Sequence, residues 1–265
     1  MHDFHCHTNL SACALADSTL KTMLQALKNA GVTTAGIANH IWDEKVPGAS
    51  SWYAPQGTAH VLSVRKEYEA LSEEDRCGIK LYFGCETEYV GQGRVALKKE
   101  SAKDFDFVLV PPHHFHMKNF VRPLELEDAP GILRLMAARF LECCNIDFVT
   151  GLAHPFMVLG YPGREDEILS GIADEEFGKV FKYAAEKGKS IELNISAIHQ
   201  KVALDHDGFP HQYRRMFTIA RQCGCRFHLG SDAHNPDRLA KERFEYALKF
   251  ADACGIVFAE NPFCL

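Results

Sequence analysis

His2-Asp3-Phe4-His5-Cys6-His7 opens the chain as a strand-length apolar and polar alternation that ends on metal-ligand residue types. Side chains alternate along a strand, so His5 and His7 point to one side and can grip one cation, while Cys6 points to the other. Working outward, the same event recurs: a run of strand length, then a His, Asp or Glu where the run stops. The runs are His2 to His7, Thr33 to Ala38, Lys80 to Cys85, Phe105 to Pro111, Phe148 to Ala153, Ser190 to Ile195 and Arg226 to Gly230. His40, Glu86, His113, His154 and the pair Asp232 and His234 sit at or just past strand ends.

Helical patterns separate most of these runs. Thr19 to Gly31 is the clearest, with Ser18 as the expected N-cap and Gly31 as the expected C-cap. Others are read at 58–71, 128–144, 174–187, 211–223 and 237–254, and the segment from Gly91 to Lys103 stays unassigned. Strand and helix in alternation argue for parallel strands joined by right-handed crossovers, and no Gly-rich phosphate loop follows the first strand, so closure as a barrel is expected. The ligand types then share the C-terminal rim, where such barrels build their sites. The longer interruptions at 41–57, 114–127, 157–171 and 198–210 leave those same strand ends and should overhang the site.

The chain has 265 residues, 46% hydrophobic and 24% charged, which suits one barrel domain spanning 1–265. A formal charge of -6 gives no global basic field for a duplex nucleic-acid partner, and no apolar run approaches membrane-spanning length. Ten cysteines form no CxxC pair and several lie in apolar runs, so free thiols and a reduced, cytoplasmic location are expected.

Singly, a His at a strand end is more often a hydrogen-bonded structural group than a ligand; seven such positions in successive units make coincidence improbable. Together they match a family. His5-x-His7-Thr8 with Ser11, Gly36-Ile37-Ala38-Asn39-His40, Gly84-Cys85-Glu86-Thr87-Glu88, Asp106 to His113, Gly151-Leu152-Ala153-His154-Pro155, Ile191-Glu192-Leu193-Asn194 and Gly230-Ser231-Asp232-Ala233-His234 resemble, in order, the motifs of the polymerase and histidinol phosphatase (PHP) family. The resemblance implies an α/β fold, a distorted (β/α)7 TIM-like barrel with a polynuclear metal site at the C-terminal rim of the strands. It also implies two or three divalent metal ions, Zn, Fe or Mn. Carried over by position, His5, His7, Glu86 and Asp232 hold the first metal. Glu86 bridges to a second held by His113 and His154, and His40 and His234 hold a third. Cys13 and Asp17 compete for that third site's remaining place, where the family carries His or Asp; a thiolate there would soften it toward Zn or Fe(II). Asn39, where the family carries Asp, is expected to orient a neighbour rather than bind metal. His114 and His116 leave an ambiguity at His113, since a one-residue shift presents another imidazole, and the spacing from Asp106 favours His113.

The implied activity is that of a metal-dependent phosphoesterase hydrolysing a phosphomonoester of a small molecule, histidinol phosphate or another phosphorylated metabolite, by metal-activated hydroxide. Glu86, Asp232, Asn194 and His199 are the candidates for catalytic roles, with His206 beside His199 as a second possible acid. Arg122 and Arg164 lead for phosphate oxygens, ahead of Lys201 and Arg94. Trp42, Trp52 and Tyr53 lie in the loop after His40, where loop packing competes with contact to a substrate's organic part. A PHP phosphodiesterase or exonuclease, which would call for a basic groove and stacking platform, and a degenerate non-catalytic PHP module are the rival readings.

Overall fold

The computed structural model describes residues 1–117, 123, 125–199 and 202–263. In chain order its elements are β1 (His2–Cys6), α1 (Leu20–Asn29), β2 (Thr34–Ile41), α2 (Thr58–Ala70), β3 (Lys80–Thr87), β4 (Tyr89–Gly91), β5 (Arg94–Val95), α3 (Lys99–Ala102), β6 (Val108–Val110), α4 (Ala129–Cys144), β7 (Gly151–Leu152), α5 (Glu165–Ser170), α6 (Asp174–Glu186), β8 (Ser190–Asn194), α7 (His211–Gln222), β9 (Arg226–Gly230) and α8 (Lys241–Ala253). Seven strands form one parallel sheet in the order β1-β2-β3-β6-β7-β8-β9. Its two edges meet through a parallel bridge between Cys6 and Ala233, and Asp232 N–H donates to His5 O at 2.7 Å. The result is the nearly closed seven-stranded α/β barrel that the alternation called for.

The barrel is thin on one side. β6 and β7 are shorter than the runs Phe105 to Pro111 and Phe148 to Ala153, because side chains take over backbone roles where the strands begin. The Asp106 carboxylate accepts from Phe83 N–H at 2.6 Å and Thr150 Oγ1 accepts from Val108 N–H at 2.9 Å. The unassigned stretch after Gly91 is the β4–β5 hairpin, turning through Gln92 and Gly93 at positive φ, followed by α3. Within the long loop before Gly171 lies α5, which the sequence reading passed over.

Helix α1 shows how the outer layer is attached. Leu20, Met23, Leu24 and Leu27 recur on one face and are all buried in the main hydrophobic core. Its cap is Thr19, whose hydroxyl accepts from Thr22 N–H, rather than Ser18. The Ser18 hydroxyl instead donates to His234 O at 2.9 Å and ties the helix start to the rim.

Inside the barrel a separate apolar cluster of Phe4, Ala38, Phe107, Leu109, Ala153 and Phe263 lies below the polar rim. The Phe107 ring stacks on Phe263 with centroids 4.8 Å apart and meets Phe4 edge-on. Gly36 and Gly84 make room for it: a Cβ on Gly84 would stand 2.3 Å from the Phe107 ring, and one on Gly36 2.6 Å from it. Gly84→Ala is therefore expected to destabilise the fold by about 1–3 kcal/mol, the cost of overpacking a filled core, read as a lowered denaturant midpoint with an unchanged slope. No described helix is long and apolar enough to cross a membrane, and the nine described cysteines are free thiols.

Candidate metal centre

The alternation of β1 sends His5 and His7 to the same side, where their Nε2 atoms lie 3.1 Å apart, while Cys6 is buried in the core. Two carboxylates join them from β3 and from the turn after β9. Glu86 Oε2 lies 3.4 and 3.6 Å from the two Nε2 atoms, and Asp232 Oδ1 lies 3.6 and 3.2 Å from them.

The partners behind each ring decide what those nitrogens present. His5 Nδ1 is 2.8 Å from Glu192 Oε2. Burial opposes ionisation of Glu192, but His5 and His228 hold its pKa down to about 2, so the carboxylate accepts and His5 carries its proton on Nδ1. For His7 the chain of logic is longer. Asn39 Oδ1 accepts from Thr8 N–H at 2.7 Å and from the Ser11 hydroxyl at 3.0 Å. With its one proton given to Asn39, Ser11 Oγ accepts from His40 N–H and from His7 Nδ1–H, each at 3.0 Å. His7 is neutral, its pKa held down by burial and by His234 and His40, so its Nε2 turns a lone pair inward. Against its burial, the carboxylates around His5 raise its pKa well above the ordinary value, so its Nε2 becomes a ligand atom when a cation displaces the proton.

Two imidazoles and two carboxylates converging in a buried pocket need positive charge among them, supplied by a proton on His5 or by a metal ion that replaces it. Glu86 Oε2, buried, lies 2.8 Å from His40 Nδ1 without a well-aligned hydrogen bond, and buried His154 Nδ1 has no hydrogen-bond partner. The donor set, imidazole N and carboxylate O atoms, fits a divalent transition metal.

Two further groups adjoin the first, and in all three the ligand atoms lie within 4.8 Å of one another. Glu86 Oε1 lies 3.2 Å from His154 Nε2 and 3.7 Å from His114 Nε2, whose Nδ1 is fixed on Glu88 Oε2 at 2.7 Å. Across the pocket, His40 Nε2 lies 3.4 Å from His234 Nε2, and His7 completes that third group. His234 Nδ1 donates to Asp232 O at 3.0 Å, which again leaves Nε2 free. Cys13 stands beside this group: burial raises its pKa, but hydrogen bonds with His234 and His40 outweigh that and bring it to about 7. Asp17 is exposed on the turn before α1, where its carbonyl accepts from Thr22, and its carboxylate has no part in the three groups.

The backbone is bent to aim these ligands. His154 and Asp232 adopt φ of 29° and 53°, a left-handed conformation that non-glycine residues rarely hold without surrounding constraint.

Several expected residues fall elsewhere. His113 is not part of the cluster: its Nε2 donates to Met136 O and its Nδ1 accepts from Phe156 N–H, both at 2.8 Å, so neither nitrogen is left for a metal. The neighbour His114 takes its place, because β6 stops at Val110 and the turn through Pro111 and Pro112 breaks the alternation counted from Asp106. Asn194 is also structural, donating to Glu192 Oε1 at 2.7 Å and accepting from Ala197 N–H at 2.9 Å. His199 bonds Ile195 O and packs on Tyr246, away from the cluster. Arg164 is paired with Glu167 and donates to Glu127 O rather than facing the site. Arg94 lines a different cavity, His206 is exposed, and Arg122 and Lys201 lie outside the described residues.

Asn39 does orient its neighbours, as its place before His40 suggested. Trp42 is loop packing, 3% exposed, whereas Trp52 and the nearly buried Tyr53 line the pocket over the cluster with Cys13, His114, His116 and Met117. The sequence reading gave no role to Glu88, Ser11 or Glu192 as supports. Glu88 and Ser11 stood within quoted motifs, and the pairing of Glu192 with His5 depends on barrel closure.

Comparisons with known proteins agree with this architecture. A model of the PHP domain matches residues 3–196. A curated protein of Syntrophotalea carbinolica (strain DSM 2380 / NBRC 103641 / GraBd1), described as a "Probable phosphatase", is 28% identical over 185 residues, 68% of this chain; the chain spans 63% of that relative's length. Among solved structures, the histidinol phosphate phosphatase of Lactococcus lactis subsp. lactis Il1403, complexed with zinc, L-histidinol and phosphate, aligns with TM-score 0.65 at 16% identity, covering 97% of this chain and 94% of its own. A Listeria monocytogenes structure aligns with TM-score 0.63 at 12% identity over 93% of this chain and 100% of its own. At these identities the two structures speak for the fold, and the match over residues 3–196 settles the family: the chain belongs to the PHP domain family.

Proposed function

We propose that the protein is a metal-dependent phosphatase that hydrolyses phosphomonoesters of small molecules. The observation that carries this reading is the convergence of imidazole nitrogens from His5, His7, His114 and His154 on the carboxylates of Glu86 and Asp232, with His234 beside His7 and His40. His40 completes the set, and Cys13, hydrogen-bonded with His40 and His234, is the candidate to close their group in preference to Asp17. Family membership and the resemblance to a "Probable phosphatase" support phosphoester chemistry for such a site. Bound divalent cations supply Lewis acidity here, which makes water a nucleophile near neutral pH and offsets the charge on phosphoryl oxygens.

The chain's own residues do the positioning. Glu192, Ser11 and Glu88 fix the tautomers and ring planes of His5, His7 and His114, so the ligand set is organised before any metal arrives. The cavity over the cluster holds about 220 Å³, lined in part by Cys13, His40, Trp52, His114 and Asp232, a size that fits a small ester rather than a polymer.

The reading is tested by metal analysis and turnover together. Protein purified without chelator is expected to carry bound Zn, Fe or Mn and to release phosphate from at least one member of a panel of phosphorylated metabolites that includes histidinol phosphate. Chelation should abolish turnover, and adding back one of the three metals should restore it. Protein that neither carries metal nor regains it, and turns over no ester with any of the three supplied, would sink the proposal.

A further inference from the structure

Above the cluster the cavity wall changes character. Trp52 is 38% exposed, whereas Trp42 of the same loop is packed away and Tyr53 reaches the cavity wall only 2% exposed. Its ring meets the Tyr53 ring edge-on at 4.6 Å and stands 5.5 Å from the His40 ring, so it is braced from behind and open toward the cavity. Met117 and the ring of His116 line the same cavity, and among the described residues no Lys or Arg does. An exposed, rigidly held indole beside a polar cluster invites a partner, since aromatic faces left in water at the edge of a site gain from stacking.

We infer that Trp52 selects substrates whose organic part carries an aromatic ring, so that the preferred substrates are phosphomonoesters of small aryl-bearing alcohols. The inference rests on the phosphatase reading above and deepens it. An ester held by its phosphoryl end at the His40 and His234 group must project its alcohol portion along the cavity, and there it meets Trp52 and Met117. Among the described residues that wall offers a flat apolar ring an indole face and a thioether. Trp52 acts on ground-state and transition-state binding alike, because it touches the part of the substrate that does not react.

The test compares 2-phenylethyl phosphate with n-propyl phosphate, two primary alkyl esters whose leaving alcohols demand the same chemistry. In the metal-loaded wild type, kcat/KM for 2-phenylethyl phosphate is expected to exceed that for n-propyl phosphate by roughly tenfold or more, mostly through KM, the size of one well-formed aromatic contact. Trp52→Ala should collapse that ratio toward one, and Trp52→Phe should restore part of it. A second readout needs no turnover: phenylphosphonate should shift wild-type tryptophan emission, methylphosphonate should not, and Trp52→Phe should lose the response, since Trp42 is buried.

Equal kcat/KM for the two esters, or a ratio unmoved by Trp52→Ala, overturns the inference while leaving the phosphatase reading intact. Failure to hydrolyse either ester or any ester of the wider panel defeats the phosphatase reading instead. The contact of Trp52 with an aromatic ligand is then decided by emission alone, and silence toward phenylphosphonate overturns it.

Discussion

Glu86→Gln is expected to remove metal from the site and lower phosphatase turnover by about 10³-fold or more, with the fold preserved. Glu86 is the residue that all three sides of the cluster share: Oε2 faces His5, His7 and His40, at 2.8 Å from His40 Nδ1, while Oε1 faces His154 and His114. An amide of the same shape keeps the packing but supplies no charge and only one acceptor oxygen. A loss of several kcal/mol in stabilising charge on a reacting phosphoryl group corresponds to a thousandfold or more in rate. Metal-free stability should fall as well. Without metal and against burial, His5 and His40 hold the Glu86 carboxylate ionised, the carboxylate raises the pKa of both rings, and Oε2 lies 2.8 Å from His40 Nδ1. An uncharged amide there leaves those buried imidazolium groups without part of their counter-charge. Metal-free Glu86→Gln is thus expected to melt below the temperature of the metal-free wild type, by scanning calorimetry in chelator, while atomic absorption shows sub-stoichiometric metal after reloading. A variant that keeps full metal and near-wild-type turnover would show that Glu86 does not join the sites. A variant that simply unfolds would show that the carboxylate is needed for the fold.

How far the sequence reached is explained by the physics of each position. His5 and His7 were legible because strand alternation is strict within β1, and His40 and Glu86 because β2 and β3 pair in register as far as their ends, His40 opposite Glu86. Asp232 and His234 were legible because β9 is regular up to Gly230. His113 was misread for the converse reason: parity counted from Asp106 holds only along a strand, and β6 is three residues long, followed by two prolines. Asn194 shares a strand face with Glu192, but its amide is spent on Glu192 and on the turn that follows, a contact between near neighbours that no facing argument anticipates. The supports were the least visible. Glu192 reaches His5 across 187 positions of chain only because β9 lies between β8 and β1 and closes the barrel. The lesson is specific: residue type and strand end locate a ligand, while tautomer and aim depend on tertiary partners.

His114→Ala and His113→Ala are adjacent substitutions expected to fail in opposite ways. His114 Nδ1 gives its proton to Glu88, and its Nε2 points at Glu86 Oε1 beside His154. Its loss should lower bound metal by about one equivalent and turnover by at least about 100-fold, beyond the effect typical of residues that only stand behind a ligand. The melting temperature of the metal-free protein should change little, because the ring lies at the cavity wall and Glu88 keeps the Tyr53 hydroxyl as a donor at 2.8 Å. His113 is fully buried between α4 and the turn after β7, and burial holds its pKa down to about 3, so it is neutral. Its removal leaves the buried Phe156 N–H without its acceptor, takes from Met136 O the bond it accepts besides its helix bond, and opens a cavity, a loss of about 3 kcal/mol that lowers the melting temperature by roughly 5–10 °C. Metal content of the folded fraction should stay at the wild-type level. The pair is decisive because the two rings share a turn but not a role. Loss of metal in His113→Ala with an unchanged melting temperature, or full metal in His114→Ala, would mean that the turn after β6 presents the other imidazole in the loaded protein.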